Sequence, residues 1–197
     1  VVGGGPAGSS AARIAAENEC TVALVEKEKE IAETVRTSGV TWISDIKKFK
    51  IPEDCYNSIK RFSFCSPKNS VTISDNVAKA AVLDVRKTYR FLANRAQSSG
   101  AKIFTSTNVS EVLKNSDGKC VGVIAKSKDK HIQFNAKVII DASGFASVVA
   151  KELGHVEQWK KFGVGAEFEV KTEELEQDNW WLMVGQEYTP AGYAWIF

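Results

Sequence analysis

The chain has 197 residues, of which 44% are hydrophobic and 25% charged, with a formal net charge of +2. This composition is typical of a folded globular protein and excludes an intrinsically disordered chain. The weak net charge gives no reason to expect nucleic-acid binding, and no apolar run of about 18 residues predicts a transmembrane helix. The four cysteines lack zinc-ligand spacing, so we expect reduced thiols and no metal site.

The chain opens with VVGGGPAGSSAA, in which Gly3, Gly5 and Gly8 follow the end of an apolar strand. A small-residue helix and a second strand, TVALVE, come next, and this strand ends at Glu26. In such a βαβ unit the glycines allow a tight turn, backbone approach to a pyrophosphate and close helix packing. A carboxylate at the position of Glu26 accepts hydrogen bonds from a ribose and disfavours NADP, but it leaves NAD and FAD as alternatives.

The loop after the second strand carries Arg36, followed by Thr37, Ser38 and Gly39. These side chains suit phosphate and ribose contacts, although the same residues are also typical of a surface turn. Further along, residues 61–75 predict two short strands around the PKNS turn.

Residues 80–101 predict a strand followed by a helix that ends at SSG, and two further strands lead to an SDGK turn. A hairpin follows, with a charged turn at KSKDKH. The segment VIIDASG is interpreted as a buried strand that ends at Asp141, and the helix after it stops at Gly154.

Nine of the last 43 residues are aromatic. Alternation from Phe162 to Val170 predicts a half-buried strand, and Tyr193, Trp195 and Phe197 share one side of another. We therefore predict a cofactor domain over residues 1–154, with a β insertion near 55–82, and the start of an aromatic-rich β substrate domain over residues 155–197. From the pattern alone, the aromatic residues fit either the core of a sheet or the lining of an apolar ligand site.

Three segments together resemble the glutathione-reductase-like FAD fold, in the branch that contains aromatic hydroxylases and geranylgeranyl reductases. They are VVGGGPAGSSAA with Glu26, LDVRKTYRFLANRAQSSGA and VIIDASGFASVVAK. GYAWIF is similar to the aromatic motif of the geranylgeranyl reductase family. The resemblance covers the whole chain and implies an α/β, Rossmann-like FAD-binding fold joined to a mostly antiparallel β subdomain. The DASG segment favours FAD over NAD.

The resemblance also implies roles for individual residues. One group holds FAD: Gly3, Gly5, Ala7 and Gly8 at the pyrophosphate, Glu26 at the adenosine ribose, Val109 through its backbone at the adenine, Thr37, Ser38, Gly39 and Arg86 near the cofactor, and Asp141 with Gly144 supporting the site. Arg36, chosen above from its side-chain chemistry, is predicted to contact the cofactor as well. Tyr193, Trp195 and Phe197 would contact the substrate. Archaeal members often carry a cysteine where this chain has Thr37 and Ser38, so a cysteine-assisted step is not expected here.

The function implied is FAD-dependent reduction of carbon–carbon double bonds in a geranylgeranyl group of a lipid or a chlorophyll-type side chain. The alternatives are an aromatic-hydroxylase-type monooxygenase and a non-catalytic flavin-binding module. The expected partners are an isoprenoid lipid and an electron donor, NAD(P)H or a ferredoxin-like protein, with a cytoplasmic location and peripheral membrane contact. We expect the chain to be an N-terminal fragment. No proton donor is identified, since His131 and His155 fit structural or exposed positions better.

Overall fold

A computed structural model describes residues 1–156 and 160–197, so Trp159, one of the aromatic residues noted above, lies outside the described residues. In chain order the helices are α1 (Pro6–Glu17), α2 (Ile43–Phe49), α3 (Val85–Ser98) and α4 (Val148–Glu152). The strands are β1 (Ala23–Val25), β2 (Val40–Trp42), β3 (Tyr56–Ile59), β4 (Arg61–Cys65), β5 (Ser70–Ser74), β6 (Ala80–Leu83), β7 (Lys102–Phe104), β8 (Asn108–Lys114), β9 (Cys120–Ser127), β10 (Lys130–Asn135), β11 (Asn179–Val184) and β12 (Tyr193–Ile196). These elements form two compact units, residues 1–36 with 89–164 and residues 37–88 with 165–197.

The first unit contains a parallel ladder at its centre. Val2 forms parallel bridges to Val25 on one side and to Asp141 on the other, and β1 pairs in parallel with β7. The amide of Val2 donates to the carbonyl of Ile140 at 2.9 Å, and the amide of Val25 donates to the carbonyl of Val1 at 2.9 Å. The predicted βαβ unit is therefore confirmed, and the segment ending at Asp141 lies directly beside its first strand.

The prediction that VIIDASG contains a buried strand is wrong in its length and burial. Only Asp141 forms a bridge, while residues 137–140 have no strand assignment. Val138 is 77% exposed and Ile140 is 38% exposed. The run of apolar residues suggested a longer strand, because hydrophobicity along a sequence does not show how many residues find a partner strand.

Two small apolar clusters hold the first unit together. One joins α1, β1 and α3 through Ala12, Leu24 and Ala96, all of which are fully buried. The other packs Val2 and Val25 against the antiparallel sheet β10-β9-β8 and against α4. Because α1 carries small residues on its buried side, the helix lies close to the parallel strands, which places its N-terminus at the glycine turn.

The second unit consists of two sheets and helix α2. The smaller sheet has the order β2-β6-β3 and the larger has the order β12-β11-β4-β5. In the larger sheet, β4 pairs in parallel with β11, while the outer pairs are antiparallel. The sequence predicted β4, β5 and β12 as strands, and it did not predict α2 or the pairing of β4 with β11.

The predicted half-buried strand from Phe162 to Val170 is wrong. This segment has no regular structure, and Phe162, Val164, Phe168 and Val170 are between 67% and 88% exposed. Alternation stabilises a strand only when a neighbouring strand supplies hydrogen bonds, and none of the described strands pairs with this segment.

The α/β fold class, with parallel and antiparallel strands and a βαβ dinucleotide turn, is confirmed. The division into a cofactor domain before residue 155 and a substrate domain after it concerns binding roles and stays a prediction. Structurally, the hairpin β4–β5 from the predicted insertion shares one sheet with β11 and β12.

Candidate nucleotide turn and aromatic sheet face

The glycine turn is a close-packed structure in which side chains have no room at two positions. Gly3 has a φ of +102°, and a Cβ there would lie 2.3 Å from the carbonyl oxygen of Ala142. A Cβ at Gly8 would lie 1.9 Å from the carbonyl oxygen of Gly3. The first strand, the start of α1 and the Asp141 segment therefore meet at contacts that only glycine allows.

Gly5 is the open position of the turn, since no atom lies within 4 Å of where its Cβ would be. The first helical hydrogen bond of α1 is donated by Ser9 to the carbonyl of Gly5 at 2.9 Å. The amides of Ala7 and Gly8 precede that bond, so they are donors at the positive end of the helix dipole. Open space beside free amides at a helix N-terminus is what a pyrophosphate requires.

The Glu26 carboxylate is held by the backbone on both of its oxygens. Oε2 accepts a hydrogen bond from the amide of Gly4 at 2.6 Å, and Oε1 accepts one from the amide of Glu28 at 2.9 Å. Each carboxylate oxygen has a second lone pair, so Glu26 retains the capacity to accept from ribose hydroxyls. These bonds fix the side chain beside the turn.

Three residues that the sequence analysis did not single out complete the turn. Ser9 is fully buried and donates its hydroxyl to the carbonyl of Gly4 at 3.0 Å. Ile31 lies against Gly4, where its Cδ1 would be 2.3 Å from a Cβ. On α3, Arg90 pairs with Glu30 at 2.9 Å and holds the loop that carries Ile31. A serine directly after the third glycine was the available sequence signal for Ser9; the loop contacts have no local signature.

Asp141 uses its carboxylate to tie the end of its strand to α4. Oδ1 accepts from the hydroxyl of Ser143 at 2.6 Å, and Oδ2 accepts from the amides of Val149 and Ala150 at 2.9 and 2.8 Å. Burial, the largest effect, raises the pKa of Asp141, but the hydrogen bonds from Ser143, Ala150 and Val149 outweigh it and leave the pKa below its ordinary value. The ionised carboxylate therefore acts as a clamp beneath the glycine turn.

The other predicted cofactor residues of the first unit lie in different surroundings. Val109 is 6% exposed, belongs to the apolar cluster and pairs with Ala125 in the antiparallel sheet. Gly144 has a φ of +64° in the short turn before α4. Arg36 pairs with Glu28 at 3.4 Å on the surface. Their predicted contacts with FAD remain predictions.

The second unit brings the remaining predicted cofactor residues near one another. Gly39 has a φ of +78°, and a Cβ there would lie 2.8 Å from the carbonyl oxygen of Leu83. Thr37 accepts from the amide of Gly39 at 3.4 Å, and Ser38 lies between them. Arg86, three residues after Leu83, lies 3.8 Å from Glu169. The Thr37–Gly39 loop and the start of α3 thus form one local cluster.

The larger sheet of the second unit collects apolar side chains on one side. Paired residues of neighbouring strands point to the same side of a sheet. Phe62 pairs with Ile73 and Trp180, Phe64 with Val71 and Leu182, Leu182 with Trp195, and Val184 with Tyr193. The aromatic face is therefore made of Phe62, Phe64, Val71, Ile73, Trp180, Leu182, Val184, Tyr193 and Trp195, and Phe197 follows in the same alternation.

Several rings of the aromatic face are in contact. The Tyr193 and Trp195 ring centroids lie 5.7 Å apart, and those of Phe62 and Trp180 lie 5.8 Å apart in an edge-to-face arrangement. Tyr193 is 57% exposed and Phe64 is 40% exposed. The face is thus a mainly apolar surface, whose polar groups are the indole N–H of Trp180 and Trp195 and the hydroxyl of Tyr193.

The opposite face of the same sheet is tied by polar contacts. The hydroxyls of Ser63 and Thr72 are 2.8 Å apart, and the buried Asn179 side chain donates to Ser63 at 3.0 Å. Arg61 pairs with Glu176 at 2.9 Å and also with Asp178. These contacts fix the register between β4 and β11, and through it the composition of the aromatic face.

Residues 1–156 and 160–197 contain no group of three or more side chains that could hold a metal ion. Within the same residues, no helix is both long and apolar enough to cross a bilayer. The four cysteines are free, as expected, and Cys55 is buried.

The chain matches a known protein family and is similar to named proteins. The profile of the family described as FAD dependent oxidoreductase matches residues 1–158. The digeranylgeranylglycerophospholipid reductase of Methanocaldococcus jannaschii is 33% identical over 204 residues, covering all of this chain and 51% of that protein. The enzyme of the same name from Methanocella arvoryzae is 30% identical, with 100% and 52% coverage. The chain spans about half the length of these curated relatives.

Solved structures show the same fold. A geranylgeranyl bacteriochlorophyll reductase-like protein from Thermoplasma acidophilum superposes with a TM-score of 0.81 at 24% identity, over 100% of this chain and 52% of that one. PqsL of Pseudomonas aeruginosa, a probable FAD-dependent monooxygenase, superposes with a TM-score of 0.64 at 11% identity, over 82% and 46%. Because reductase-like and monooxygenase proteins share this fold, the fold alone does not select the chemistry.

Proposed function

Because the chain belongs to the FAD-dependent oxidoreductase family, we propose that the protein reduces carbon–carbon double bonds of a geranylgeranyl or related isoprenoid group, with FAD as its cofactor. The aromatic face is the observation that carries this proposal. It offers a broad apolar surface, and an isoprenoid chain presents apolar surface along its whole length. The names of the relatives from M. jannaschii and M. arvoryzae agree with this substrate class.

The residues of the glycine turn fit FAD. Gly3 and Gly8 allow the backbone to pack without side chains, and Gly5 leaves open space beside the amides of Ala7 and Gly8. Glu26 stands ready to accept from the adenosine ribose. Asp141 supports the turn from below through its bonds to α4. When bound, FAD supplies the reducing equivalents that an isolated double bond requires.

The aromatic face would bind the isoprenoid by burying its methyl and methylene groups. Tyr193 and Trp195 form one end of this face and Phe62 and Trp180 lie towards the other. Each buried methylene contributes about 0.8 kcal/mol, so a chain of several isoprene units binds without polar anchors.

Peripheral contact with a membrane is part of the proposal, and α2 supports it. Trp42 precedes this helix and Phe49 is its last residue; they are 58% and 41% exposed. Lys47, Lys48 and Lys50 are exposed in the same segment. Aromatic and lysine side chains together suit the interface of an anionic bilayer, where the lipid substrate would be found. The proposed location is cytoplasmic, and the proposed electron donor is NAD(P)H or a ferredoxin-like protein.

The test is anaerobic turnover by the full-length protein with its FAD reduced. A geranylgeranyl lipid is supplied in vesicles, and mass spectrometry measures the product. We expect a mass gain of two hydrogens for each double bond reduced. Trp195→Ala should lower kcat/KM about tenfold or more while leaving FAD affinity unchanged, since the ring lies on the aromatic face.

Ile196→Ala is the matched control, because Ile196 is the next residue of β12 and points to the opposite face. It should leave kcat/KM within about twofold of the wild type. Unchanged lipid, together with flavin that is reoxidised only when air and an aromatic compound are admitted, would overturn the proposal in favour of a monooxygenase. Equal losses of kcat/KM in Trp195→Ala and Ile196→Ala would show that the aromatic face does not bind the substrate.

A further inference from the structure

Among the strands of residues 1–156 and 160–197, β5 is an outer strand of the larger sheet, and it has no charged residue. All five of its residues are exposed, and Val71 and Ile73 are 56% and 58% exposed. Soluble proteins usually protect such an edge with charges, prolines or bulges. Two outer strands of the first unit follow this rule, since β8 has register irregularities and β10 begins with Lys130 and His131.

The hydrogen bonds of the β4–β5 hairpin show which backbone groups of β5 face outward. The amide of Asp75 donates to Lys60 at 3.0 Å, and the amide of Ser66 donates to Asn69 at 2.8 Å. In an antiparallel pair, hydrogen-bonded residues alternate with residues that point away. Val71 and Ile73 are therefore the residues of β5 that bond to β4. The amides and carbonyls of Ser70, Thr72 and Ser74 point away from the sheet.

We propose that β5 pairs with β5 of a second copy of this chain, antiparallel, with Thr72 opposite Thr72. In this register Ser70 of each copy lies opposite Ser74 of the other, so every outward residue meets another outward residue. Each of these pairs is able to exchange two hydrogen bonds. A register shifted by one residue would set outward groups against residues already bonded to β4.

Side-chain chemistry favours the same register. Val71 of one copy lies opposite Ile73 of the other, on the same side as the aromatic face, so the exposed aliphatic side chains cover each other. Lys68 of each copy comes opposite Asn76 of the other and beside Asp75, a carboxylate that also pairs with Lys79 of its own copy at 2.6 Å, so a charged contact forms near both ends of the ladder. The two-fold symmetry is closed, and this is the commonest arrangement of soluble dimers.

The size of the contact sets its strength. A ladder of five residues per copy buries less area than a standard interface of about 800 Å² per partner. We therefore expect a reversible dimer with a dissociation constant on the order of micromolar to tens of micromolar. The inference does not rest on the proposed function, because the ladder is formed by the backbone of β5; Val71 and Ile73 of this strand also belong to the aromatic face.

Sedimentation velocity of the full-length protein with FAD, over about 1 to 200 µM, tests the inference. The wild type should shift from monomer to dimer across this range. Ser74→Pro removes an outward amide hydrogen without touching a bond to β4, and an edge strand accepts proline. It should raise the dissociation constant about tenfold or more, whereas Ser74→Ala, which keeps the amide, should leave it unchanged.

A wild type that stays monomeric at 200 µM would overturn the inference. A dimer equally stable in Ser74→Pro and Ser74→Ala would also overturn it, because the contact would then lie elsewhere. Thermal melting checks that each variant is folded. Should Ser74→Pro fail to fold, Ser70→Pro removes the equivalent amide at the start of the strand and carries the same expectation.

Discussion

The glycine turn of the first unit and the aromatic face of the second unit are built by different means. In the turn, the contacts of Gly3 with Gly8 and of Gly4 with Glu26 join residues no more than 22 positions apart, and Gly3 also lies against the more distant Ala142. In the sheet, β4 and β11 pair although more than 100 residues separate them, for example Arg61 with Asn179. The turn positions backbone amides and carboxylates, whereas the sheet positions apolar side chains. The glycine turn is therefore determined by the spacing of residues along the sequence, and the aromatic face is determined by the register between strands.

Gly8→Ala gives the largest expected effect on the turn. A Cβ would lie 1.9 Å from the carbonyl oxygen of Gly3, and backbone cannot move aside cheaply. We expect a loss of more than about 3 kcal/mol in the free energy of unfolding, and no FAD binding. Urea denaturation and flavin fluorescence titration measure the two quantities.

Gly5→Ala separates fold from binding within the same turn. Nothing lies within 4 Å of the new Cβ, and the φ of −66° suits alanine. The free energy of unfolding should fall by about 1 kcal/mol or less, while FAD binds at least about tenfold more weakly because the Cβ occupies the open space. Equal FAD affinity in Gly5→Ala and wild type would show that the pyrophosphate does not approach Gly5.

The contrast between turn and sheet explains which parts of the structure could be predicted from the sequence. The turn was predicted because the spacing of its glycines and of Glu26 is typical of one backbone geometry, the βαβ dinucleotide turn. Strands β4, β5 and β12 were predicted from alternation, but their order in the sheet was not, because the ladder between β4 and β11 leaves no local signal. The same limit produced the wrong strand at 162–170. Helix α2 was missed because seven residues with only Ile46 buried show no period.

Within the turn, the contacts of Ser9 and Ile31 were not foreseen. Both act on Gly4, Ser9 through its hydroxyl and Ile31 through its side chain. The resemblance implied a supporting role for Asp141. In the structure its carboxylate accepts hydrogen bonds from the backbone amides of α4 and so holds this helix to the end of the strand. Which residue sits beneath a backbone turn depends on the three-dimensional path of the loops, and a linear pattern does not record that path.

Asp141→Ala tests the clamp and carries an intermediate effect. The amides of Val149 and Ala150 and the hydroxyl of Ser143 would lose their acceptor. The free energy of unfolding should fall by about 2 kcal/mol. Because the folded state lowers the pKa of Asp141, its contribution is present above the ordinary pKa of an aspartate and is lost as the pH falls through the folded value.

The wild type should therefore lose more stability than Asp141→Ala as the pH is lowered below about 4, so the two unfolding curves approach each other. Asp129→Ala, in the turn between β9 and β10, is the control and should keep the wild-type pH dependence. Parallel curves for Asp141→Ala and wild type between pH 7 and pH 3 would contradict the clamp.

The smallest expected effect is on the melting temperature, and it comes from removing single ion pairs. One pair joins distant segments, and the other lies inside a helix. Arg61 joins β4 to Glu176 and Asp178 ahead of β11, and Arg13 pairs with Glu17 one turn along α1. Arg61→Gln should lower the melting temperature by a few degrees, because it loosens the register that assembles the aromatic face. Arg13→Gln should lower it by less, since an exposed pair of this kind contributes about 0.3 to 0.5 kcal/mol. Melting curves at low salt and at 1 M salt measure both, and the difference between the variants should shrink at high salt, where exposed charges are screened. Equal melting temperatures at low salt would show that the buried contacts of Ser63 and Asn179 hold the register without Arg61.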